Sequence, residues 1–178
     1  MHKPIPRAFF NRPTLTVARA LVGKYLVREH GKGIVVCKII EVEAYIGEKD
    51  KACHASKGRT ARTDVMFGPA GFAYVYLIYG MYHCLNVVTE REGFPAAILI
   101  RTVEIDGELI DGPGCLCRAL DVDRSFHRLD LTMGRSLWFE DRGIDVPRGR
   151  IGRLPRIGVE YAEEWAKKLW RFRLRLSK

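Results

Sequence analysis

The hydrophobic residues of the stretch 71–86, GFAYVYLIYGMYHCLN, fall into two alternating sets. A period of two corresponds to the two faces of a β-strand. One face carries Phe72, Tyr74, Tyr76 and Ile78, and the other carries Ala73, Val75 and Leu77. Gly80 can adopt the positive φ of a tight turn. The pattern therefore predicts a β-hairpin that turns at Tyr79-Gly80-Met81.

Tyr79 falls at the tip of this predicted hairpin. A turn exposes its side chains and gains little from carrying a large aromatic ring. Two interpretations are open. Either the ring enters a binding partner, or it folds back onto a neighbouring loop.

The other hydrophobic patterns predict the remaining elements. A helix capped by Thr14 or Thr16 extends to Val22, with Gly23 as the residue that ends it. We expect strands at 25–28 and 34–43, joined across 30–33, a central strand at 96–103, strands at 136–140 and 151–159, and helices at 113–120 and 161–168. This order predicts an α+β fold: a single domain over residues 1–178, with a curved, mostly antiparallel sheet, surrounding helices and a protruding β-hairpin.

The chain closes with the alternating stretch RFRLRL. We expect Phe172, Leu174 and Leu176 to face inward, and Arg171, Arg173 and Arg175 to point outward. Charged residues in this pattern also protect an edge strand from aggregation.

Composition narrows the class of protein. The 178 residues, 47% hydrophobic and 29% charged, are typical of one globular domain, and no apolar run approaches the roughly 18 residues that span a bilayer. The N-terminus lacks the apolar segment of a signal peptide, so we expect an intracellular protein with no membrane partner. A net charge of +9 favours a polyanionic partner such as nucleic acid. The five cysteines lack a C-x-x-C spacing, which argues against a disulfide framework or a zinc site.

Glu43 and Arg101 are the candidate reactive groups. Glu43 comes where the predicted strand gives way to a loop, and such positions hold reactive side chains, although a glutamate on a strand is commonly just solvated. Arg101 lies within the aliphatic run AAILIRTV, where a buried guanidinium needs an anionic partner, and Glu43 is the candidate. The alternative is that Arg101 emerges at the edge of the sheet and is hydrated.

The polar segment 46–70 is long for a loop, and loops of this length are commonly functional. Lys57, Arg59 and Arg62 lie among glycine, serine and threonine residues there. Basic residues beside an aromatic hairpin are typical of a phosphate-contacting surface, and solvation is the alternative for each of them.

Five segments, taken together, resemble one known family. They are IIEVEAYIGEKDKACHAS, MFGPAGFAYVYLIYGMYHCLNVV, LIRTVE, GPGCLCRALDVDRSF and PRIGVEYAEEWAKKLWRF, and they occur in the family's order. The chain resembles the alkyladenine (3-methyladenine) DNA glycosylases of the mammalian type, which are distinct from the helix-hairpin-helix alkylation glycosylases. The resemblance implies a monofunctional enzyme of base excision repair that binds double-stranded DNA, flips a damaged purine and hydrolyses its N-glycosidic bond. We expect it to act as a monomer, with no cofactor and no metal.

The resemblance also implies roles for individual residues. Glu43 matches the general base, Arg101 the arginine that helps to hold the attacking water, and Ile157 the backbone carbonyl that completes the water site. Tyr45, His54 and Tyr76 match the residues that sandwich the flipped base, and Asn86 matches the side chain that screens purines. Tyr79 matches the wedge that fills the space left by the flipped nucleotide. The DNA-binding set is Lys57, Arg59, Arg62, Met81 and Tyr82.

The sequence departs from the family pattern at three places. Ala61 and Thr63 stand where a proline and an asparagine are expected, and Tyr82 stands where microbial relatives often have histidine. The loop at 90–95 is longer than in the mammalian pattern. These departures concern the DNA-contacting loop and the substrate range rather than the reaction type.

Two other classes of function remain open from the residues. The chain could be a non-catalytic nucleic-acid-binding module that uses the same hairpin and basic loop. It could also be a metal-dependent nuclease in which Glu41, Glu43, Asp50 and His54 bind magnesium or manganese.

Overall fold

The computed structural model describes residues 3–31 and 33–176, so Lys32, in the predicted 30–33 connection, lies outside it. Three α-helices occur there, α1 (Arg7–Phe10), α2 (Thr14–Leu21) and α3 (Pro113–Ala119). Nine strands also occur there: β1 (Tyr25–His30), β2 (Gly33–Ile46), β3 (Ala73–Ile78), β4 (Tyr82–Val88), β5 (Ala96–Ile105), β6 (Glu108–Asp111), β7 (Leu137–Glu140), β8 (Ile151–Leu154) and β9 (Arg171–Leu174). Short 3₁₀ helices lie at His54–Lys57, Asp64–Phe67, Arg124–Phe126, Arg148–Arg150 and Glu160–Lys167.

All nine strands join one open sheet, and every paired neighbour is antiparallel. The main order is β3-β4-β5-β2-β1-β7, while β6 pairs with β5, and β9 pairs with both β2 and β8. The predicted α+β fold with a mostly antiparallel sheet is therefore confirmed.

The long strand β2 organises the sheet because it pairs on both edges. Its first half pairs with β1 and its later part, Glu41–Glu43, pairs with β9, while β5 follows its other edge from Lys38 to Ile46. A register shift between Ile39 and Val42 interrupts the β2–β5 ladder. Such irregularities often re-aim side chains near functional sites.

The two larger hydrophobic clusters of the described residues pack on the sheet. The larger one includes the aliphatic side chains of β2 and β5 together with α2 and α3. The second contains Met66, Phe67 and Tyr74, against which Tyr45 and Tyr76 pack. This second cluster orders the 46–70 segment, which contains two of the 3₁₀ helices.

The hairpin β3–β4 is confirmed, with its turn at the predicted residues. Ile78 pairs with Tyr82, and the Met81 amide donates to the Ile78 carbonyl at 3.1 Å. Gly80 has φ +69° and Tyr79 has φ +51°, so both central residues of the turn are left-handed. The central strand β5 is confirmed as well, since it lies between β4 and β2.

Several element boundaries differ from the sequence prediction. Gly23 ends the first long helix with φ +87°, as predicted, but the N-cap of α2 is Pro13, without a side-chain cap. The hydroxyl of Thr14 instead donates to Glu90 at 2.8 Å. The strand predicted at 151–159 ends at Leu154, and the residues that follow turn toward the end of β2. Strand β2 continues to Ile46, so Glu43 lies within it rather than at its end.

The closing stretch is only partly as predicted. Phe172 and Leu174 are buried, but Leu176 is 43% exposed, which corrects its predicted inward position. Strand β9 is paired on both sides and therefore needs no protection as an edge. Two of its arginines, Arg171 and Arg173, point to a buried carboxylate instead of solvent, donating to Glu41 at 2.6 and 2.9 Å.

Within the described residues, no helix is both long and apolar enough to cross a membrane.

Candidate active site

A cavity of about 580 Å³ opens between the hairpin, the later part of β2 and the segment after β8. Eight of the residues singled out from the sequence line it: Tyr45, His54, Arg62, Tyr76, Tyr79, Asn86, Arg101 and Ile157. The fold thus brings together residues that are up to 112 positions apart along the chain. Four of the predicted DNA-binding residues, Lys57, Arg59, Met81 and Tyr82, lie outside the cavity lining.

Glu43 lies one layer behind the cavity wall. Its side chain is completely buried, and three lining residues contact it. The Tyr45 hydroxyl donates to Oε2 at 2.7 Å, and the Ile157 amide donates to Oε1 at 2.9 Å. Burial nevertheless raises the pKa of Glu43, because desolvation outweighs the opposing effects of Arg101, Tyr45, Ile157 and Arg171. A raised pKa suits a carboxylate that takes up a proton during a reaction.

The structure confirms the predicted ion pair between Arg101, on β5, and Glu43. Its side chain is only 13% exposed, and its Nε atom lies 3.6 Å from Glu43 Oε1. That distance makes an ion pair rather than a hydrogen bond. The alternative of a hydrated arginine at the sheet edge is wrong. The buried Nε atom has no hydrogen-bond partner among the described residues, so it remains available as a donor beside the carboxylate.

Aromatic rings form one wall of the cavity. His54, at the start of a 3₁₀ helix, lies 4.7 Å from the Tyr76 ring at an interplanar angle of 77°. Its Nδ1 atom is 2.8 Å from the Tyr74 hydroxyl. Burial, with contributions from Arg62 and Lys57, lowers the pKa of His54 from 6.5 to about 4, so the ring is neutral at pH 7. Burial also raises the pKa of Tyr45 and Tyr76 well above 10, so both phenols keep their protons.

Asn86 is buried in β4 and lines the cavity. Its side-chain amide donates to the backbone carbonyl of Tyr74 at 3.0 Å and lies 3.4 Å from that of Cys84. These bonds fix the orientation of the amide across the β3–β4 ladder. A side chain held in this way presents a fixed shape to whatever enters the cavity.

The hairpin tip projects into solvent. Tyr79 is 86% exposed and Met81 is 66% exposed, so the interpretation that Tyr79 folds back onto a loop is wrong. A left-handed backbone costs a non-glycine residue roughly 1–2 kcal/mol. Local strain at an exposed aromatic is a pattern that clusters at functional sites.

The basic residues of the 46–70 segment are exposed, but three of them have defined partners. Lys51 forms an ion pair with Glu163. Arg59 donates to Asp64 at 2.7 Å, and the Arg62 guanidinium lies 5.0 Å from the centre of the Tyr76 ring. The buried Thr63, one of the departures from the family pattern, donates to the Gly58 carbonyl at 3.0 Å and therefore ties the loop together.

Tyr82 is the first residue of β4, directly after the turn of the hairpin, and it packs against α3. A Cβ atom at Gly114 would come within 2.9 Å of its ring, so glycine at this position permits the contact. The Arg118 guanidinium lies 5.7 Å from the ring centre.

The carboxylates proposed for a metal-dependent nuclease do not converge. Glu41 is bonded to Arg171 and Arg173, Asp50 is bonded to Arg156, and Glu43 lies beside Arg101. Across residues 3–31 and 33–176, no group of three or more His, Cys, Asp or Glu side chains could hold a metal ion. Each carboxylate already has a cationic partner, and this donor set does not fit magnesium or manganese.

Sequence reasoning missed Tyr74 and Arg156 as contributors to the site. Tyr74 was assigned only to a hairpin face, although the alternation with Tyr76 could have indicated a shared aromatic wall. No local pattern pairs Arg156 with Asp50, because the two lie 106 positions apart.

Comparisons with known proteins identify relatives along nearly the whole chain. A family model described as methylpurine-DNA glycosylase matches residues 8–178. A protein of Methanocella arvoryzae is 53% identical, with 94% of this chain and 90% of that protein covered. A protein of Myxococcus xanthus is 51% identical, with 97% of this chain and 91% of that protein covered. Both carry the name "Putative 3-methyladenine DNA glycosylase".

Proposed function

The chain belongs to the methylpurine-DNA glycosylase family, and from this premise we propose that it removes damaged purines from double-stranded DNA. It flips the damaged nucleotide into the cavity and hydrolyses the N-glycosidic bond, which leaves an abasic site. The substrates are purines of the 3-methyladenine, 7-methylguanine, hypoxanthine and ethenoadenine class.

One observation carries this proposal: a buried carboxylate lies directly behind an aromatic cavity of the size that small-molecule sites have, roughly 300–1,000 Å³. Aromatic stacking gives roughly 1–3 kcal/mol per base and tolerates different bases. A wall made of Tyr45, His54 and Tyr76 therefore suits a group of related damaged purines.

Glu43 is the proposed general base. Loss of the base passes through a sugar with oxocarbenium character, so one carboxylate both accepts a proton from the attacking water and offsets the developing positive charge. Arg101 and the backbone carbonyl of Ile157 hold the water. Tyr45 and Ile157 each donate to one oxygen of Glu43 in the free protein, and the remaining lone pairs of the carboxylate can accept a hydrogen bond from the water.

Tyr79 and the basic residues prepare the DNA for this reaction. The exposed ring at the hairpin tip inserts into the base stack at the position that the flipped nucleotide leaves. Flipping costs a few kcal/mol and is easiest for damaged or mispaired bases, so selection begins before the cavity is reached. Lys57, Arg59, Arg62, Met81 and Tyr82 contact the DNA around the tip, and the net charge of +9 favours the phosphate backbone.

Asn86 screens the purine inside the cavity. Its fixed amide packs against the C2 edge of the purine, where guanine carries an exocyclic amine that hypoxanthine lacks. Normal adenine is refused differently, by failing to flip or to accept a hydrogen bond from the His54 backbone amide.

Glu43→Gln tests the proposal in a duplex that carries one hypoxanthine, with alkaline cleavage of abasic sites as the readout. The variant keeps the shape of the side chain and should bind the duplex normally, but it should lose at least about two orders of magnitude in excision, the scale of a general base. The same substitution at the exposed Glu29 on β1 is the matched control and should leave excision unchanged.

Two other results would contradict the proposal. Near wild-type excision by Glu43→Gln would remove Glu43 from the mechanism. Tight binding of the duplex by the wild-type protein without any excision would instead favour a non-catalytic binding module.

A further inference from the structure

Asp50 and Arg156 form an ion pair beside the cavity. The Arg156 Nη1 and Nη2 atoms donate to the two Asp50 carboxylate oxygens at 2.6 and 2.9 Å, so the contact is bidentate. Both side chains are completely buried. Because an unpaired charge is costly to bury, each group depends on the other.

The pair also bonds to backbone on both sides of the cavity. Arg156 donates to the carbonyl of Ala44 at 2.9 Å and to that of Trp165 at 3.1 Å. Asp50 accepts from the amides of Ile46 and Ala52 at 3.2 and 3.1 Å. These bonds join the end of β2 and the segment after it to the segment that follows β8.

Stability alone does not account for such a pair. Apolar residues of similar volume can often replace a buried ion pair without loss of stability, because removing two charges from water offsets much of their attraction. The planar guanidinium contributes fixed geometry instead, because its rigid set of N–H donors holds several acceptors in one arrangement.

Both donors to Glu43 lie next to Arg156. Ile157, whose amide donates to Glu43 at 2.9 Å, is the next residue in the chain. The Arg156 guanidinium lies 4.8 Å from the centre of the Tyr45 ring, and the hydroxyl of that ring donates to Glu43 at 2.7 Å. Ala44, which accepts from Arg156, lies between Glu43 and Tyr45 in β2.

We propose that Asp50 and Arg156 are positioning residues, which act through Ile157 and Tyr45 to set the hydrogen bonds that hold the Glu43 carboxylate. The proposal rests on the proposed function, in which Glu43 is the general base. Neither residue touches the reacting atoms.

Arg156→Lys is the variant that tests this role. Lysine keeps the positive charge opposite Asp50, so no carboxylate is left buried without a partner. It cannot form the fork that reaches Ala44 and Trp165, and it does not stack on Tyr45 as a guanidinium does. We expect binding of the hypoxanthine duplex within about threefold of wild type and single-turnover excision at least about tenfold slower.

A second readout is independent of excision: the titration of Glu43 followed by the ¹³C chemical shift of its carboxyl carbon. The titratable and charged groups around Glu43 are Tyr45 on β2, Cys84 on β4, Arg101 on β5 and Arg171 on β9. The hydrogen bonds from Tyr45 and Ile157 lower the Glu43 pKa, so loosening them should move its titration to higher pH by at least about half a pH unit.

Arg28→Lys is the matched control. Arg28 is also buried, and its fork donates to the backbone carbonyls of Leu120 and Ser136, remote from Glu43. The Arg28→Lys variant should have a lower melting temperature than wild type, with unchanged excision and an unchanged Glu43 titration. If Arg156→Lys lowers the melting temperature in the same way and leaves excision and the titration unchanged, the positioning role is wrong.

Variants that do not fold, or a wild-type protein that excises nothing, also give a defined result for the proposal. If Arg156→Lys does not fold, Asp50→Asn, which keeps the shape and the carbonyl acceptor, is subjected to the same two measurements. If neither variant folds, the pair is required for folding and the proposal is overturned. If the wild-type protein excises nothing, the proposed function fails, while the Glu43 titration still shows whether Arg156 sets its hydrogen bonds.

Discussion

Replacing His54 by glutamine should change how the stability of the protein depends on pH. The imidazole is largely buried in the cavity wall, and burial with Arg62 and Lys57 lowers its pKa from 6.5 to about 4. Glutamine does not titrate in this range and keeps a polar amide in the cavity wall. The contact that it loses with the Tyr74 hydroxyl, 2.8 Å from the histidine Nδ1 atom, is present at every pH in the wild-type protein and does not by itself create a pH dependence.

The direction of this pH effect follows from comparing the His54 pKa in the unfolded chain with that in the folded protein. Between pH 6.5 and about 4 the unfolded chain binds a proton on His54 that the folded protein does not bind. The stability that comes from a neutral ring is therefore fully present above pH 6.5 and is lost as the pH falls toward 4. A pKa difference of about 2.5 corresponds to up to about 3 kcal/mol in the free energy of unfolding.

Urea unfolding at several pH values from about 7.5 down to about 4 measures this quantity. The free energy of unfolding of wild type minus that of His54→Gln should fall by about 3 kcal/mol over this range. Carboxylates titrate in both proteins, so their contributions cancel in the difference.

A difference that stays constant within about 0.5 kcal/mol across the range would refute the reasoning, because the folded ring would then titrate like a solvated histidine. Arg62→Gln provides a second check. Removing that positive charge should raise the His54 pKa toward 6.5 and make the loss of stability at low pH smaller. The ring's own titration in an NMR experiment would show the same change directly.

Three further predictions concern the proposed reaction. Tyr79→Ala should slow excision from a fully paired duplex more than excision from a bubble, where flipping is already easy, and equal losses on both substrates would contradict a wedge role. Because water is the nucleophile, the product should be an intact abasic strand, and activity should survive EDTA; trapping of a covalent adduct by borohydride in stoichiometric yield would contradict this. Asn86→Ser should raise excision of mispaired guanine relative to hypoxanthine, since a shorter side chain leaves room for the C2 amine; an unchanged ratio in a folded variant that is active on hypoxanthine would mean that guanine is excluded elsewhere.

Local sequence patterns were sufficient to predict the elements that lie closest to the cavity. Alternation over 71–86 predicted the β3–β4 hairpin, and Gly80 predicted its turn, because strand faces and left-handed turns depend on neighbouring residues. The aliphatic run around Arg101 predicted a buried strand, and the cost of burying a lone guanidinium predicted its partner Glu43.

Prediction failed where a residue's environment comes from distant parts of the chain. The arginines of RFRLRL were expected to point outward, but Arg171 and Arg173 bond to the buried Glu41, which lies 130 and 132 positions earlier. Thr14 was expected to cap a helix, but its hydroxyl bonds to Glu90 instead. A hydrogen-bonding group with two available partners leaves no local sign of which one it uses.

The sequence by itself therefore determined most of the strands, the hairpin with an aromatic residue at its tip, and the residue types that the cavity needs. Only the tertiary structure decided how the Glu43 carboxylate is held. Its donors come from its own strand and from the segment after β8, and the buried Asp50–Arg156 pair lies beside both. Periodicity is a property of neighbouring residues, whereas the pairing of buried charges depends on which distant segments the fold brings within about 3 Å of each other.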